Sequence, residues 1–377
     1  MLTRRGLASL LVAPLVALTM LAFVAPIALL FWRAVDNTEL ANALPETASA
    51  LRAWDGSGMP PESVRATLLA ELPKAAGSDS FGQLTRRANF ERTGMRGQML
   101  RAARSSTLDA SWEAPEPWLV LRHLASPVTP SYFLRALDLS RAPDGAIMRA
   151  EEGERVFAKL FARTLGMAGL VAALAVLLAW PLAFHIARLP PRRGEAWLAL
   201  AMIPFWTSVL VRTAAWFVLL QREGPVNAAL LAFGFIDAPV QLIFTRLAVV
   251  LAMTQMMLPF ALLPIHAVLK RADPALDRAA ASLGAGAARR LVAVHIPVSL
   301  PGVAAGFVTV FTVSAGFYVT PALVGGPGDQ MLASFISFFV NQTVNFGMAA
   351  ALSVLLLGLV CLSLLVLRRA APMIAPR

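Results

Sequence analysis

Six stretches of the chain are apolar over a length that can cross a lipid bilayer. A transmembrane helix needs about 20 consecutive, mostly apolar residues. A single segment in lipid must be helical, because lipid offers no partner for the free backbone groups of a strand edge. The pattern predicts an all-α membrane protein whose six transmembrane helices cover approximately residues 10–32, 165–186, 196–220, 242–268, 303–323 and 347–367.

The first apolar run follows Arg4 and Arg5, an order that also occurs in secretory signal peptides. The apolar part of a signal peptide has roughly 7–15 residues, and this run is longer. We therefore predict an uncleaved membrane anchor, with a cleaved signal peptide as the alternative.

A long polar region, residues 33–156, separates the first two predicted spans. Pro60 and Pro61 precede apolar residues at helical spacing, which predicts a helix after a proline start. The stretch FGQLTRRANFERTGMRGQML has apolar residues that also suit one helix. We predict a mostly helical subdomain, with a poorly ordered loop as the alternative. Its candidate core residues are Val64, Leu68, Leu72, Phe81, Leu84, Ala88, Met95, Met99, Trp112, Trp118, Tyr132 and Phe133.

The composition agrees with a membrane protein. Of 377 residues, 58% are hydrophobic and only 15% are charged, whereas soluble domains have about 25% charged residues. The net charge of +11 could indicate nucleic-acid binding, but the arginines cluster beside apolar runs, so no nucleic-acid partner is expected. A single cysteine, Cys361, excludes a disulfide framework, and the scattered histidines form no metal-ligand motif.

Basic residues concentrate in four segments near the predicted span ends. Positive charge favours the cytoplasmic side of a membrane. With six spans these segments share one side, which places both termini in the cytoplasm and the long insert in the periplasm. The two other short loops, residues 221–241 and 325–346, hold only one base, Arg222. The basic segments contain Arg4 and Arg5; Arg188, Arg192 and Arg193; Lys270, Arg271, Arg278, Arg289 and Arg290; and Arg368, Arg369 and Arg377.

Motifs for ATP hydrolysis are absent from the sequence. A P-loop needs a lysine after its glycines to reach the terminal phosphates, and none of Lys74, Lys159 and Lys270 follows a glycine. The GxSxG and HExxH signatures of hydrolases are also missing. We therefore predict no catalytic residues, no metal and no bound cofactor, and any energy for active transport must come from another polypeptide.

Few ionisable groups lie within the predicted spans, and none is a carboxylate. Because proton-driven carriers often use a buried acidic or histidine relay, this disfavours a secondary transporter. Arg212 either faces a transport path or is held by backbone carbonyls between helices. The candidate path residues are Thr207, Arg212, Thr213, Trp216, Gln255, Phe317 and Tyr318.

The segment RAAASLGAGAARRLVAVHIPVSLPG, residues 278–302, combines small residues, arginines and prolines between two spans. Asp273 and Pro274 suit a helix start, and Gly284 permits a turn with positive φ. Pro297 and Pro301 are expected to set the start of the fifth span. The pattern predicts helix, glycine turn, helix. Such a segment either docks in a groove on a partner or lies at the lipid headgroups with its arginines.

This segment resembles the cytoplasmic EAA loop of ABC importer permeases, whose pattern is roughly EAA, three residues, G, then I-x-L-P. Arg278 stands where that family has glutamate, although Asp277 is adjacent. The resemblance implies that the loop, residues 271–300, couples the permease to an ATPase. The implied coupling residues are Asp277, Arg278, Ala279, Ala280, Leu283, Gly284, Arg289, Pro297, Pro301 and Gly302.

Other stretches within residues 157–367, such as PFWTSVLVRTAAWFVLLQREGPVN and GFYVTPALVGGPGDQM, resemble spermidine/putrescine permeases. The resemblance implies the type I ABC importer permease architecture: an anchor in residues 1–32, a periplasmic insert in 33–156, a five-helix core in 157–367 and a tail in 368–377. It also implies three partners: a second permease subunit in a heterodimer, an ABC ATPase dimer that binds the ATP, and a periplasmic substrate-binding protein. The implied location is the bacterial inner membrane.

The resemblance implies import of a small polar solute by alternating access. We expect a polyamine such as putrescine or spermidine, with an opine or an aminophosphonate as the alternative. Arg212 would repel a cation if it faced the path. A stand-alone secondary transporter and a non-transporting membrane scaffold are the remaining alternatives from other functional classes.

Overall fold

The computed structural model describes residues 4–141, 146–150 and 152–374. It contains two compact units, and helices dominate both. The first unit comprises Met1–Phe157 and Phe339–Val354, and the second comprises Ala158–Phe338 and Leu355–Arg377. The last residues of the predicted tail, 375–377, lie outside the described residues.

The first apolar run is helical along its length. Helices α1 (Arg4–Thr19) and α2 (Ala25–Arg33) are joined by a π-helical turn at Met20–Val24. Large apolar side chains of this segment are exposed, for example Leu21 at 71%. Its mean hydropathy of 2.4 is that of a membrane span, so these exposed side chains suit contact with lipid.

The described residues between positions 34 and 156 form short helices around an apolar core. The indole rings of Trp112 and Trp118 lie 5.1 Å apart within this core, whereas Phe133 is only partly buried. The elements are α3 (Glu39–Ala43), α4 (Pro45–Ala53), α5 (Glu62–Ala75), α6 (Asp79–Glu91), α7 (Met95–Ser105), α8 (Glu116–Ala125), α9 (Ser131–Ala136), β1 (Leu139–Arg141) and β2 (Ile147–Arg149), with β1 and β2 antiparallel.

The prediction of one helix over FGQLTRRANFERTGMRGQML is wrong. The chain forms α6 and α7 instead, and Gly94 between them has a φ of +95°. Left-handed backbone cannot continue a right-handed helix, so α7 starts in a new direction. The apolar residues still share one core, because both helices turn their apolar faces inward.

Contacts distant in sequence fix the start of α4. The Glu71 carboxylate on α5 accepts hydrogen bonds from the backbone N–H groups of Glu46 and Thr47, at 2.9 and 2.8 Å. The Thr47 hydroxyl also donates to it, at 2.6 Å. Glu71 thereby satisfies N–H groups that a helix start leaves without partners.

The remaining apolar runs lie mainly in the second unit, and the first part of the sixth run belongs to the first unit. The elements from here to the last span are α10 (Phe157–Arg188), α11 (Pro191–Met202), α12 (Val209–Leu219), α13 (Pro225–Ala232), α14 (Arg246–Arg271), α15 (Pro274–Ser282), α16 (Ala287–Arg290), α17 (Ile296–Ala315), α18 (Val319–Val324), α19 (Leu332–Asn341) and α20 (Phe346–Ile374). Helices α13 and α19 lie where the sequence predicted short loops.

The third predicted span is not one straight helix. Helices α11 and α12 are bent by 90° at a short break. Pro204 lies in a 3₁₀ turn that ends α11, and Thr207 is extended. The Ser208 hydroxyl then accepts from the Leu210 N–H at 3.3 Å and caps α12. The described chain therefore has five helices that are long and apolar enough to cross a membrane, or six if the bent pair counts as one.

The fifth predicted span, residues 303–323, is shifted in the structure. One helical segment runs over Ala287–Ala315, including a π-helical turn at Leu291–His295. The helix ends at Ala315, and non-helical backbone at Tyr318 separates it from α18. Pro297 and Pro301 therefore lie within the helical segment rather than at the start of a separate span.

Helices α14 and α17 cross at small residues. A Cβ added to Gly302 would lie 2.9 Å from the Pro264 carbonyl oxygen, and one added to Gly306 would lie 3.1 Å from the Ala261 carbonyl oxygen. Small residues four positions apart let two helix backbones approach closely. Gly302 is buried in this crossing, so it packs between α14 and α17, and its role in the coupling loop stays a prediction.

Candidate functional site

Helix α15 has a defined start and a defined end. The Asp273 carboxylate accepts from the Ala275 N–H at 2.8 Å, which satisfies one free donor of the helix N-terminus. At the other end, the Ala285 N–H donates to the Ala280 carbonyl at 3.0 Å and the Gly284 N–H donates to the Ala281 carbonyl at 2.9 Å. These two bonds form a Schellman motif.

Gly284 provides the backbone conformation that this motif needs. Its φ is +81°, and no other atom lies within 4 Å of the position that a Cβ would take. Left-handed backbone is unfavourable for most residues because of their Cβ atoms. Gly284 therefore lets the chain reverse between α15 and α16 and leaves open space outside the turn.

The outer face of this turn carries apolar and basic side chains. Leu283 is 89% exposed and Leu276 on the preceding helix is 49% exposed. Arg278, Ala279 and Arg289 are exposed as well, and Ala280 is half-buried. An exposed leucine flanked by arginines and alanines is a surface suited to a partner groove.

Asp277 points into the segment rather than outward. Its carboxylate forms an ion pair with Arg290 at 3.1 Å and lies 2.9 Å from Nε2 of His295. It thereby joins α15 to the helical segment that begins at Ala287. Asp277 consequently does not replace the missing glutamate at the exposed position, where Arg278 remains.

The sequence analysis missed the contacts of His295. Its Nε2 atom also lies 2.7 Å from Nη2 of Arg188, and the Arg188 guanidinium stacks 3.9 Å from the Phe184 ring. Trp180 donates to the Ser299 hydroxyl at 2.8 Å. These contacts join the end of α10 to the start of α17. No sequence signal reveals the contacts between these two helices, because Arg188 and His295, like Trp180 and Ser299, are more than 100 residues apart in the chain.

Pro297 and Pro301 lie within one continuous helical segment. Pro297 is half-buried and Pro301 is exposed. The segment Ala287–Ala315 is helical throughout, with a π-helical turn at Leu291–His295 just before Pro297.

Two pairs of polar side chains link α12 to its neighbours within the second unit. The Thr213 and Thr320 hydroxyls are 3.1 Å apart, and the Trp216 N–H donates to the Gln255 side-chain oxygen at 3.3 Å. Thr320 also lies 3.4 Å from the Met256 sulfur. The structure thus places three predicted path residues in two pairs and adds Thr320 to one of them.

The other predicted path residues form no hydrogen bond with these pairs among the described residues. Thr207 is exposed in the break between α11 and α12, and its hydroxyl donates to the Pro204 carbonyl at 2.7 Å. Phe317 is half-buried, and Tyr318 is 46% exposed. They follow the end of α17, where the helix stops.

Arg212 is half-buried on α12, and its Nε atom has no hydrogen-bond partner among the described residues. The hydroxyls of Thr254 and Ser314 are likewise buried without partners there. Buried polar groups in a protein usually have partners. The sequence analysis missed Thr254 and Ser314, although hydroxyl residues in apolar runs are visible in the sequence.

The described residues contain no cluster of three or more histidine, cysteine, aspartate or glutamate side chains that could hold a metal ion. The turn at Leu283 and Gly284 and the α12 pairs present apolar, basic and hydroxyl side chains. None of their contacts forms a nucleophile paired with a base.

The second half of this chain is similar in sequence to known proteins. The profile of the family "Binding-protein-dependent transport system inner membrane component" matches residues 167–372. The spermidine/putrescine transport system permease protein PotB of Escherichia coli K12 is 31% identical over 217 residues, which cover 57% of this chain and 78% of that protein. PotB of Haemophilus influenzae is 29% identical over 204 residues, 54% of this chain and 71% of that protein.

The inner membrane ABC transporter permease protein YdcU of Escherichia coli K12 is 32% identical over 219 residues, 55% of this chain and 70% of that protein. Among solved structures, a bacterial ABC transporter involved in the import of alginate aligns with a TM-score of 0.49 and 17% identity, covering 58% of this chain and 80% of that chain.

The family match confirms the predicted all-α permease architecture and the multi-pass location in the inner membrane. It also separates this chain from the ATPases of such systems. The match extends over more than half of the chain and includes the coupling turn, α14 and α17. The chain belongs to the family of inner membrane components of binding-protein-dependent transport systems.

Proposed function

We propose that this permease moves a polyamine, such as putrescine or spermidine, into the cytoplasm by alternating access. The relatives named spermidine/putrescine permeases support this solute. The observation that carries the coupling mechanism is the exposed turn at Leu283 and Gly284, which continues through α16 into one unbroken helical segment.

In this proposal, ATP is bound and hydrolysed by a separate ABC ATPase dimer. The exposed surface around Leu283 docks in a groove of one ATPase subunit, and a second permease subunit completes a heterodimer. A periplasmic binding protein delivers the solute. When the ATPases close, the turn moves with the groove and α17 moves with the turn, since Asp277 holds α15 against this segment. Coupling between distant sites requires such an element with two positions.

The proposed orientation places both termini and the coupling turn in the cytoplasm. The positive-inside rule supports this orientation, because the basic segments fall on one side when α11 and α12 cross the membrane as one bent span. Residues 33–156 then lie in the periplasm.

A charge at the turn tests the docking mechanism. We expect Gly284→Asp to abolish ATP-driven uptake in proteoliposomes that contain the complete transporter, while the protein still inserts. The matched control is Gly284→Asn, because asparagine has a similar size and tolerates left-handed backbone without adding charge. The Asn variant should keep most of its uptake. Wild-type uptake by the Asp variant would refute the docking role of this turn.

One observation favours a different solute. The half-buried Arg212, which lacks a partner at Nε, would repel a polyamine and attract a carboxylate or phosphonate if it faces the path. An opine or an aminophosphonate importer is therefore the second candidate.

A thermal-shift screen of the cognate binding protein against polyamines, opines and aminophosphonates separates the two candidates. Stabilisation by putrescine or spermidine supports the first, and stabilisation only by an anionic or zwitterionic solute overturns it without affecting the assignment as a permease.

A further inference from the structure

A polar cavity of about 670 Å³ lies within the first unit. Its volume is in the range of small-molecule sites, roughly 300–1,000 Å³. One wall is a single face of α6, since Gln83, Arg86, Arg87 and Phe90 recur at helical spacing. The opposite walls are the turn that leads from α2 into α3 and residues 342–347, which precede the body of α20.

The inner end of the cavity contains polar atoms without partners. Oδ1 of Asp36, Oε2 of Glu39 and Nε of Arg87 are buried and make no hydrogen bond in the described chain. The side chain of Arg87 is only 4% exposed. Buried polar groups are normally satisfied, so a ligand or a water molecule that reaches these atoms would supply the missing partners.

Aromatic rings complete this inner end. Tyr132 is 1% exposed, and the Arg87 guanidinium lies 4.3 Å from its ring centroid. Phe90 lies beside it, with its ring centroid 6.3 Å from that of Tyr132. The Tyr132 ring already carries the Arg87 guanidinium as its cation, so the carboxylates of Asp36 and Glu39 are the groups of this end that can bind an ammonium group.

Hydrogen bonds of neighbouring residues hold the chain around Asp36 in place. The Asn37 side-chain amide donates to the carbonyls of His123 and Ser126 at 3.0 and 2.8 Å. The Thr129 N–H donates to the Val35 carbonyl at 2.9 Å. One carboxylate oxygen of Asp36 lies 3.7 Å from Arg33, and the other is buried without a hydrogen-bond partner among the described residues. The site is therefore preformed, which reduces the cost of binding.

The outer end of the cavity has the opposite character. Arg86 and Arg96 are exposed there and form no ion pair within the described residues. The side-chain oxygen of Asn89 accepts from the Gly94 and Arg96 N–H groups, at 3.0 and 3.4 Å, so its amide N–H groups remain available as donors. This end suits an anionic group, because guanidinium groups bind carboxylates and phosphonates well.

We propose that this cavity binds a small zwitterion, with its ammonium group at Asp36 and Glu39 and its carboxylate or phosphonate at Arg86 and Arg96. A simple anion would meet the two carboxylates, and a simple cation would meet the arginines. A zwitterion satisfies both ends at once. The proposal does not depend on the transported solute, because residues of the first unit alone form the cavity.

Calorimetric titration of the purified full-length protein tests this site. The probes are the ω-amino carboxylates from glycine to 6-aminohexanoate, with butylamine and butyrate as monofunctional controls. We expect saturable binding with an optimum chain length, and at least tenfold weaker binding of both controls. Equal binding of butylamine, or no dependence on chain length, would overturn the proposal. Absence of binding across the series would also overturn it and leave ordered water as the occupant.

Variants that remove one charge test which end of the cavity binds the ammonium group and which binds the carboxylate. Glu39→Gln and Arg96→Gln should each weaken binding of the best amino carboxylate at least tenfold. Arg104→Gln is the matched control for the rim, since Arg104 is an exposed arginine on the same helix, α7, and does not line the cavity. Wild-type affinity in Glu39→Gln, or an equal loss in Arg104→Gln and Arg96→Gln, would contradict the proposed placement.

Discussion

Asp277 and Arg278 are neighbours in the sequence, but their environments differ. Asp277 is held by Arg290 and His295, whereas Arg278 is exposed. Residues adjacent on a helix point about 100° apart, so a neighbouring carboxylate does not replace one at the motif position. The exposed face of α15 therefore presents a positive charge at Arg278, where the family resemblance implies a negative one.

The stability of the first unit should depend on the protonation state of Glu39. Burial raises the pKa of the Glu39 carboxyl above its ordinary value of 4.5. The folded protein then holds this proton more tightly than the unfolded chain, so the stability it contributes is complete below that ordinary value and is lost as pH rises through the higher folded pKa. We expect Glu39→Gln to raise the melting temperature at pH 7 and to leave it unchanged near pH 4.

The control for this experiment is Glu113→Gln, which changes an exposed carboxylate of the same unit and should shift the melting temperature at neither pH. A lower melting temperature of Glu39→Gln at pH 7 would show that the carboxylate is satisfied in the fold. If Glu39→Gln raises the melting temperature and also weakens zwitterion binding, the weaker binding is not caused by unfolding.

At the scale of helices, the crossing of α14 and α17 requires a residue without a side chain. We expect Gly302→Ala to destabilise the protein by about 1–3 kcal/mol, the usual range for overpacking, because its Cβ would meet backbone atoms of Ile265 and Pro264 at 2.9 Å. Backbone cannot move aside as a flexible side chain can. Thermal unfolding of the purified protein in detergent measures this change.

Gly358 provides the matched control within α20. A Cβ at this position meets no atom within 4 Å, so Gly358→Ala should be neutral, or stabilising by about 1 kcal/mol from helix propensity. If both alanine variants unfold at the wild-type temperature, α14 and α17 do not cross closely at Gly302.

At the scale of the whole molecule, the bent pair α11–α12 decides the topology. If it crosses the membrane as one span, the insert and the coupling turn lie on opposite sides. In a Cys361→Ser background, we expect a membrane-impermeant maleimide to label Ser57→Cys in intact spheroplasts. Ser282→Cys should react only after the membrane is opened; both serines are exposed in the structure. Labelling of both from outside would contradict the six-span topology.

The sequence by itself determined the features that depend on local composition and periodicity. The apolar runs indicated the spans, since span length and hydropathy are properties of continuous segments. Asp273, Pro274 and Gly284 indicated the start and the end of α15, because caps act within a few residues of themselves. The helix break at Gly94 was visible as a glycine, but its φ of +95° was not.

Only the tertiary structure decided which polar side chains meet. Thr213 and Thr320 are 107 positions apart and lie 3.1 Å from each other, and the cavity joins α6 to residues more than 200 positions away. The exposed or buried state of Gly302 likewise depended on the crossing of α14 and α17. The physical reason is that such contacts depend on the rotation and crossing angle of whole helices, which side-chain packing fixes and which no local pattern encodes.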